Sequence, residues 1–336
     1  MTEAPSPRLS VLLPVYNAAE SVAQALDSVL TQSFSDFEVI VIDDGSTDGS
    51  IEVLRQYQDP RVRLSSRENR GLAASLNEAL RSTRGELVAR QDADDISELD
   101  RFERQVDYLD RHPSVGLVGT NYMLLDERGA EVVTTNLFTH PDDLKVAQVL
   151  SNQFCHGSVM FRRSLIAEVG EYDPTVGHVE DYDLFARMSH ATEVTNLPEP
   201  LYRWHRNPSG VSLSHVDLQA DQSAAIRARE FSRLQDRRAE YRVFGSFHPF
   251  SLRDGVLTYL DRKGALYRDI ALMYAMRGAR HQALGALLMA CVCEPWRRRN
   301  FRALVRVLRG DRVTSLTELE ALSKNSGRAG RLFNRR

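Results

Sequence analysis

Short apolar runs alternate with helical spacing over the first 120 residues of the chain. Five runs rich in β-branched residues are expected to be strands, and they span 9–15, 37–42, 61–66, 86–91 and 115–120. Between them, apolar residues recur at every third or fourth position, as Val22, Leu26 and Val29 do, which predicts helices. Strands without internal polar alternation, separated by helices, predict a mostly parallel sheet covered on both faces. The expected fold class is therefore α/β.

The pattern changes twice further along the chain. Residues 121–155 predict a hairpin and a helix, and residues 192–206 predict extended structure interrupted by Pro198 and Pro200. Beyond residue 215 the strand signals end and helical spacing dominates. We therefore predict three parts, which are an α/β domain over 1–215, a helical region over 216–322 and a disordered tail over 323–336.

Composition and charge are those of an ordinary soluble protein. The chain has 336 residues, of which 42% are hydrophobic and 26% charged, and its formal net charge of −3 does not suggest bulk binding to nucleic acid. Its three cysteines, Cys155, Cys291 and Cys293, are too scattered for a disulfide framework or a zinc site, which fits a reducing cytoplasm. No signal-peptide pattern opens the chain, and the longest apolar stretch, 283–293, is too short to span a bilayer. We expect a cytoplasmic protein.

Two acidic loops follow predicted strands. The segment "DDGSTDGS" follows the strand that ends at Ile42, and "DADD", with Asp92, Asp94 and Asp95, follows the strand that ends near Gln91. Carboxylates at this spacing raise each other's pKa values, so a cation or hydrogen-bond donors must stabilise their charge. Because ligands of a parallel sheet bind beyond the carboxyl ends of its strands, both loops are expected to line one cleft. Taken alone, "DDGSTDGS" is equally typical of turns and helix caps.

Two kinds of cation can be considered for the second loop. Mg²⁺ or Mn²⁺ binds one or two carboxylates and completes its shell with phosphate oxygens and water, which would place a diphosphate beside the loop. Ca²⁺ would need an EF-hand loop, for which Asp92, Asp94 and Glu103 fall at positions 1, 3 and 12. That match fails because Ile96 and Ser97 stand at positions 5 and 6, where a ligand and a turn glycine are required. Mg²⁺ or Mn²⁺ is therefore the expected cofactor.

Several motifs in a fixed order resemble a known family. They are "SVLLPVYNAAESVAQALDSVLTQSFSDFEVIVIDDGSTDGS", "NRGLAASLNEALRSTRGELVARQDADD", "HGSVMFRRSLIAEVGEYDP" and "EDYDLFARM". Over about residues 8–206, the chain resembles the family 2 glycosyltransferases, which are inverting enzymes of the GT-A fold. The resemblance implies a Rossmann-like sheet flanked by helices. It also implies transfer of a hexose from a nucleoside-diphosphate sugar, expected to be a UDP-sugar, to an acceptor hydroxyl in cell-surface polysaccharide or glycolipid synthesis.

The resemblance also implies which residues bind the sugar donor. Pro14, Tyr16 and Asp43 would line the nucleobase pocket, where Asp43 would accept a hydrogen bond from a uracil N–H. Arg70 would approach the nucleotide. Asp92, the first residue of the DxD motif, would lie near the ribose and the diphosphate.

The metal ligand and the catalytic base follow from the same resemblance. Asp94 would be the principal metal ligand, and Asp181 in "VEDYDLF" would be the general base with Glu180 beside it. A structural alternative remains for Glu180 and Asp181, because acids in the first turn of a helix also interact favourably with its dipole. Asp95 is expected to cap the helix that follows the acidic loop.

Two histidines are weaker candidates for the site. His205, in "YRWHRNPSG", lies where some members of the family reach the metal or the diphosphate, although a histidine beside Trp204 is also typical of a packed or exposed position. His156, in "CHGSVM", lies where an acceptor-side loop is expected. The sequence leaves both alternatives open for each histidine.

A basic stripe near the C-terminus predicts an amphipathic helix over residues 295–310. Apolar residues recur at i, i+3, i+4 and i+7 from Phe301, and arginines at 299, 302, 306 and 309 form a second stripe. Such a helix can lie on an anionic membrane, which would make the protein peripheral on the inner face of the cytoplasmic membrane. The alternative is a helix packed on the protein with a solvated arginine face.

Two other classes of protein compete with a glycosyltransferase. A sugar nucleotidyltransferase needs a glycine-rich phosphate loop with Arg or Lys after its first strand, and "PVYNAAES" offers none. A non-catalytic nucleotide- or glycan-binding relative is expected to have lost its acidic motifs, whereas Asp43, Asp94 and Asp181 are all present. The sequence does not identify the sugar, the acceptor or the linkage.

Overall fold

The computed structural model describes residues 6–126, 128–205 and 216–236. The strands in this part of the chain are β1 (Leu9–Val15), β2 (Phe37–Asp43), β3 (Val62–Ser66), β4 (Leu87–Arg90), β5 (Ile96–Ser97), β6 (Val115–Leu125), β7 (Glu131–Thr134), β8 (Met160–Arg162) and β9 (Glu193–His205). The helices in the same part are α1 (Val22–Leu30), α2 (Ser50–Leu54), α3 (Leu72–Arg81), α4 (Arg101–Arg111), α5 (Pro141–Leu150), α6 (Ser164–Val169), α7 (Glu180–Ala191) and α8 (Val216–Asp236). All five predicted strands are present, and β6 continues to Leu125.

One mixed sheet organises these strands in the order β3-β2-β1-β4-β8-β6-β9-β5, with β7 paired to β6. The strands β3, β2, β1 and β4 are parallel to one another, and so are β6 and β9. β8 lies antiparallel between β4 and β6. The predicted α/β class, with a largely parallel sheet flanked by helices, is confirmed. The antiparallel β8 joins the parallel half to the later strands.

The alternation of side chains along β1 explains why helices cover both faces of the sheet. All seven residues of β1 are buried, as are all seven of β2, so neither strand has a solvent face. Val11 and Leu13 of β1 pack in one cluster with Val22 of α1 and Phe102 of α4. Leu12 points to the opposite face, where α3 contacts β1 and β2. This burial explains the continuous apolar runs in the sequence.

The parallel register brings the ends of three strands to one edge of the sheet. Val15 of β1 pairs with Asp43 of β2, and Leu12 pairs with Arg90, the last residue of β4. The loops after β2 and β4 therefore start from the same edge, on either side of the end of β1. This is the arrangement that the strand-end rule predicts for two loops of one cleft.

The second half of the domain contains the predicted hairpin, β6–β7, followed by α5. The predicted extended segment forms β9, whose pairing with β6 shifts register around Asn121. Pro198 and Pro200 lie at these shifts, and Asn121 Nδ2 donates a hydrogen bond to the Pro198 carbonyl (2.8 Å). β9 also pairs with the short β5 directly after the acidic loop, so distant parts of the sequence meet there.

The predicted helical region begins within the described residues as α8 and otherwise lies outside them. The basic stripe of residues 295–310 and the tail over 323–336 also lie outside the described residues. The boundary near residue 215 remains a prediction. Within the part of the chain that the structure describes, no helix is long and apolar enough to cross a membrane.

Candidate active site

The loop after β2 and the end of β1 form the first part of the candidate site. Pro14 is buried in β1, whereas Tyr16, directly beyond the strand, is 53% exposed. Asp43 is buried and accepts hydrogen bonds from the Ser46 N–H (3.2 Å) and the Ser66 hydroxyl (2.6 Å). An exposed aromatic ring and a fixed carboxylate therefore lie on neighbouring strands at the same edge.

Asp44, to which the sequence assigned no role, fixes the backbone that carries Arg70. Its carboxylate forms an ion pair with Arg67 and accepts hydrogen bonds from the N–H groups of Arg70 (2.9 Å) and Gly71 (2.8 Å). A Cβ at Gly45 would lie 2.8 Å from the Asn69 nitrogen, so the two loops need a glycine at this point. The Arg70 side chain is exposed above this fixed backbone.

The acidic loop after β4 surrounds a buried arginine. The Arg90 side chain is 1% exposed and forms an ion pair with Asp92. Its Nε has no hydrogen-bond partner among the described residues. The Asp92 N–H also donates a hydrogen bond to the Tyr202 hydroxyl of β9 (3.1 Å). Burial lowers the pKa of Arg90, but Asp92 and other neighbours outweigh that effect and raise it above its ordinary value. Arg90 therefore stays charged and stabilises the carboxylates around it.

Gly157 permits the close contact between Asp92 and Tyr202. A Cβ at this position would overlap the Tyr202 hydroxyl and would lie 2.7 Å from Asp92 Oδ2. Gly157 belongs to a short 3₁₀ turn over His156–Ser158, which leads into β8. The glycine in "CHGSVM" is therefore required by packing against the acidic loop.

Asp95 does not cap a helix, contrary to the sequence prediction. α4 begins only at Arg101, with Asp100 as its N-terminal flanking residue. Asp95 is buried, and its carboxylate accepts a hydrogen bond from the His205 N–H at the end of β9 (2.7 Å). Burial and the charges of Asp92 and Asp94 raise its pKa well above the ordinary value. The prediction failed because the loop continues through β5, which pairs with β9 before the helix starts.

The residues around Asp94 suit a cation that takes part of its shell from a bound molecule. Among the described residues, no group of three or more His, Cys, Asp or Glu side chains is arranged to hold a metal ion by itself. Asp92 and Asp94 are half-buried carboxylates. The His205 ring hydrogen-bonds the Asp94 main chain. The buried Nδ1 of the His205 ring has no partner among the described residues. This donor set fits Mg²⁺ or Mn²⁺ shared with a diphosphate. Glu103, needed for a Ca²⁺ loop, instead accepts a hydrogen bond from the Ser33 hydroxyl (2.7 Å).

A second carboxylate group, Glu180 and Asp181, opens helix α7. The Asp181 carboxylate accepts hydrogen bonds from Asn152 Nδ2 (2.8 Å) and the Tyr182 N–H (2.7 Å). Burial raises the pKa of Asp181 to about 6, and burial together with the Asp181 charge raises the pKa of Glu180 to about 8. Arg90 lowers both pKa values and Asp92 raises both. Glu180 and Asp181 therefore lie within electrostatic reach of the DxD loop.

His156 packs against α7, the helix that the acidic pair opens. Its Nε2 is 3.0 Å from the Tyr172 hydroxyl, and its ring packs edge-on against Phe185 of α7. Burial and the Arg90 charge lower the pKa of His156 well below its ordinary value, so the ring is neutral at pH 7. A neutral imidazole bound to a tyrosine hydroxyl can accept or donate a hydrogen bond but brings no positive charge.

Sequence reasoning missed residues that join the parts of the site. Arg90 looked like part of a strand, and its position directly before the acidic loop was the available signal. Tyr202 lies 110 residues from Asp92, and only the pairing of β5 with β9 brings the two together. Asn152 belongs to no quoted motif, and Tyr172 lies in the quoted segment "HGSVMFRRSLIAEVGEYDP" but was assigned no role. Each depends on tertiary contacts that periodicity does not encode.

Two solved structures share the fold of this chain. The 1–349 fragment of Staphylococcus aureus TarS in complex with UDP-GlcNAc matches with a TM-score of 0.50 and 18% identity, covering 90% of this chain and 92% of that one. The mannosyltransferase PcManGT from Pyrobaculum calidifontis, in complex with GDP-Man and Mn²⁺, matches with a TM-score of 0.50 and 20% identity, covering 98% and 82% respectively. At these identities the likeness shows the fold alone.

Sequence comparisons identify the family. The family described as "Glycosyl transferase family 2" matches residues 10–170. EpsE of Bacillus subtilis is 35% identical over 207 residues, which cover 59% of this chain and 72% of EpsE. The amylovoran biosynthesis glycosyltransferase AmsE of Erwinia amylovora is 31% identical over 237 residues, which cover 65% of this chain and 88% of AmsE. The chain therefore belongs to glycosyl transferase family 2.

Proposed function

We propose that this glycosyltransferase moves a hexose from a UDP-sugar to an acceptor hydroxyl during synthesis of a cell-surface polysaccharide or glycolipid, with inversion at the anomeric carbon. The relative AmsE is named for amylovoran biosynthesis, which supports a polysaccharide product. The TarS fragment binds UDP-GlcNAc and PcManGT binds GDP-Man, which supports a nucleotide-sugar donor. Family membership favours this function over a sugar nucleotidyltransferase or a non-catalytic binding protein.

The observation that carries the proposal is that Arg90 and Asp92 of the DxD loop act electrostatically on both acids at the start of α7. Asp92 forms an ion pair with Arg90, and the charges of both act on Glu180 and Asp181. A structural role in the helix dipole alone does not explain why a buried Glu180 and a half-buried Asp181 lie within electrostatic reach of the DxD loop. A donor held at Asp92 would have its sugar close to a carboxylate of raised pKa, which is what a displacement reaction needs.

The donor would bind across the ends of β1, β2 and β4. Pro14 and Tyr16 would line the nucleobase pocket, Asp43 would accept from the uracil N–H, and Asp92 would lie near the ribose and diphosphate. The exposed Arg70 would approach the nucleotide above the backbone that Asp44 fixes. The predicted roles fit the exposure of Tyr16 and the buried, hydrogen-bonded carboxylate of Asp43.

Asp94 would hold the divalent cation, and His205 would complete its protein ligands. When bound, Mg²⁺ or Mn²⁺ would neutralise the negative charge that the leaving diphosphate gains. The hydrogen bond from the His205 N–H to the Asp95 carboxylate keeps the end of β9 beside the acidic loop. Asp95 would therefore act on the site by holding His205 in place.

Asp181 would be the general base of a single displacement. The acceptor oxygen attacks the anomeric carbon, its proton passes to the Asp181 carboxylate, and the bond from the anomeric carbon to the diphosphate oxygen breaks. Asn152 and the Tyr182 N–H hold that carboxylate, while Glu180 and the neutral His156 would lie on the acceptor side. Because the attack comes from the face opposite the leaving group, an α-linked donor gives a β-linked product.

A panel of sugar nucleotides tests the proposed reaction. UDP-glucose, UDP-galactose, UDP-N-acetylglucosamine and GDP-mannose are incubated with the full chain and Mn²⁺, and release of the nucleoside diphosphate is measured. We expect enzyme-dependent release of UDP. Because water is the acceptor in this assay, NMR at early times should show the released sugar in the β configuration, before its anomers equilibrate. Release from GDP-mannose alone would reject the UDP assignment, and a product of retained configuration would reject single displacement.

Gly157→Ala is expected to weaken donor binding. The added methyl group forces Asp92 or Tyr202 to move, since it would overlap the Tyr202 hydroxyl and crowd Asp92 Oδ2. Overpacking of this kind costs roughly 1–3 kcal/mol, so we expect the Kd for UDP in Mn²⁺ to rise by about tenfold or more. Calorimetry checks this result.

Gly129→Asn is the control for Gly157→Ala. It adds a side chain in the β6–β7 hairpin, where a Cβ meets nothing within 4 Å, and asparagine tolerates the positive φ of this position. The control should bind UDP normally. If Gly157→Ala also keeps the parental affinity, the contact between Asp92 and Tyr202 does not support the donor site.

Peripheral membrane contact through residues 295–310 is a separate part of the proposal. It rests on the basic amphipathic pattern of the sequence, which lies outside the described residues. Electrostatic attraction to anionic lipid is screened by salt, so binding to anionic vesicles should fall as ionic strength rises. The membrane-bound protein would then encounter a lipid-linked acceptor at the inner face of the cytoplasmic membrane.

A further inference from the structure

Helix α8 binds the turn that precedes the acidic pair. Gln222 Oε1 accepts a hydrogen bond from the His178 N–H (2.9 Å), and Gln219 Nε2 donates one to the His178 carbonyl (3.2 Å). Both main-chain polar groups of His178 are thus bound by side chains of α8. Because His178 comes two residues before Glu180, these bonds fix the backbone from which α7 starts.

Gly177 allows Gln222 to approach the turn closely. Its φ is +76°, which a glycine adopts without strain, and a Cβ at this position would overlap the Gln222 amide. The Gln222 amide therefore occupies the space that a side chain at position 177 would need.

An apolar contact and a buried ionic network extend this attachment along α7. Ile226 is 4% exposed and packs with Val179 and Tyr182, the residues on either side of the acidic pair. The buried carboxylate of Asp183 binds Arg229 of α8 (2.5 Å). Such contacts resist displacement of the first turn of α7, because a buried carboxylate that loses its partner is costly.

The network continues through a second buried carboxylate on α8. Glu230 binds Arg229 (3.0 Å) and contacts His190 near the end of α7, so α8 holds both ends of that helix. Arg187, which also binds Asp183 (2.7 Å), donates a hydrogen bond to the Glu171 carbonyl (2.8 Å) next to Tyr172. The attachment of α8 is thus continuous with the residues around the acceptor side of the site.

We infer that α8 positions the catalytic acids of α7, and that Gln222 is a positioning residue for transfer. The inference rests on the proposed role of Asp181 as base. Asp181 must lie within hydrogen-bond reach of the acceptor hydroxyl, so a small displacement of the turn lowers the rate. The proposed donor-binding residues lie on β1, β2 and β4 and their loops, so donor affinity should not depend on Gln222.

Gln222→Ala tests the inference in the full chain. Turnover is measured as UDP release from whichever UDP-hexose of the panel gives the highest rate, and UDP affinity and Tm are measured alongside. Loss of one positioning hydrogen bond should lower kcat by about tenfold, with the UDP Kd unchanged and Tm lowered by no more than about 2–4 °C. Gln222→Glu keeps an acceptor for the His178 N–H and should recover most of the rate. Gln58→Ala, which removes an exposed amide beyond α2, is the matched control and should behave as the parent.

A double-variant comparison separates this inference from the proposed function. If α8 acts through Asp181, Gln222→Ala should lower the rate of the parent but have no further effect on Asp181→Asn. An equal loss in both backgrounds would overturn the positioning role and leave Asp181 as the base. A parental rate in Asp181→Asn alone would instead reject the proposed role of Asp181 as base, on which the inference rests.

Hydrogen exchange gives a readout that does not require turnover. In Gln222→Ala, the amides of residues 178–183 should exchange faster with solvent, whereas those of β1 and β2 should keep their rates. Unchanged exchange over residues 178–183 would show that Gln222 does not hold the turn, and would overturn the inference.

Discussion

Asp181→Asn is expected to lower turnover by roughly 10²–10⁴-fold, the range that general-base catalysis supplies. The amide has nearly the same shape as the carboxylate but cannot take the proton of the acceptor hydroxyl. UDP affinity in Mn²⁺ should stay close to parental, since the proposed donor contacts lie at the ends of β1, β2 and β4. Steady-state release of UDP at saturating substrates, together with calorimetry of UDP binding, checks both parts.

The pH profile gives the signature of this base. Burial raises the pKa of Asp181 to about 6, so the protonated, inactive form predominates below that pH. We therefore expect kcat/KM to fall as pH decreases through about 6 and to level off above it. Because the pKa of Asp181 is higher in the folded state, ionisation of this carboxyl above pH 6 disfavours folding, so Asp181→Asn should not lower Tm at pH 8. The residual kcat/KM of Asp181→Asn should not show this fall as pH decreases through about 6.

Two comparison variants make the result specific. Asp36→Asn changes an exposed carboxylate just before β2 and should leave both rate and pH profile unchanged. Glu180→Gln tests the other member of the acidic pair, whose pKa burial raises to about 8. If Asp181→Asn retains near-parental turnover while Glu180→Gln loses it, Glu180 is the base and the assignment to Asp181 is wrong.

The sequence predicted the structure best where a local pattern of apolar residues is compatible with only one kind of element. β1 and β2 are buried along their whole length, so their apolar runs had no competing interpretation as amphipathic elements. The strand-end rule then required the loops after β2 and β4 to share an edge, because both strands pair with β1 in parallel. The fold and the grouping of Asp43 with Asp92 therefore followed from short-range patterns.

The remaining features of the site depend on partners that are distant in sequence. Asp95 was predicted to cap a helix because capping is the common use of an aspartate before a helical pattern. Its actual partner, the His205 N–H, is 110 residues away and reaches the loop only because β9 returns along β5. The contact between Gln222 and the turn at His178 could not be predicted either, because no periodic signal in α8 indicates it.

Asp94→Asn is expected to abolish both turnover and the dependence of UDP binding on a divalent cation. An amide oxygen is a weaker ligand than a carboxylate for a hard cation, and the residues that the structure describes offer few other ligands around this loop. In the parent, UDP should bind at least about tenfold more tightly in Mn²⁺ than in EDTA, a difference of about 1.4 kcal/mol. In the variant, calorimetry should give similar weak affinities in both conditions.

The control for Asp94→Asn is Asp100→Asn, six positions further along the same segment. Asp100 forms an exposed ion pair with Arg104, which contributes little to stability, so its amide should leave Mn²⁺-dependent UDP binding and turnover intact. Equal UDP affinity of the parent protein in EDTA and in Mn²⁺ would contradict the proposed metal role altogether. If the parent depends on Mn²⁺ and Asp94→Asn keeps that dependence, then Asp92 and His205 hold the cation, and the negative charge of Asp94 stabilises another part of the loop.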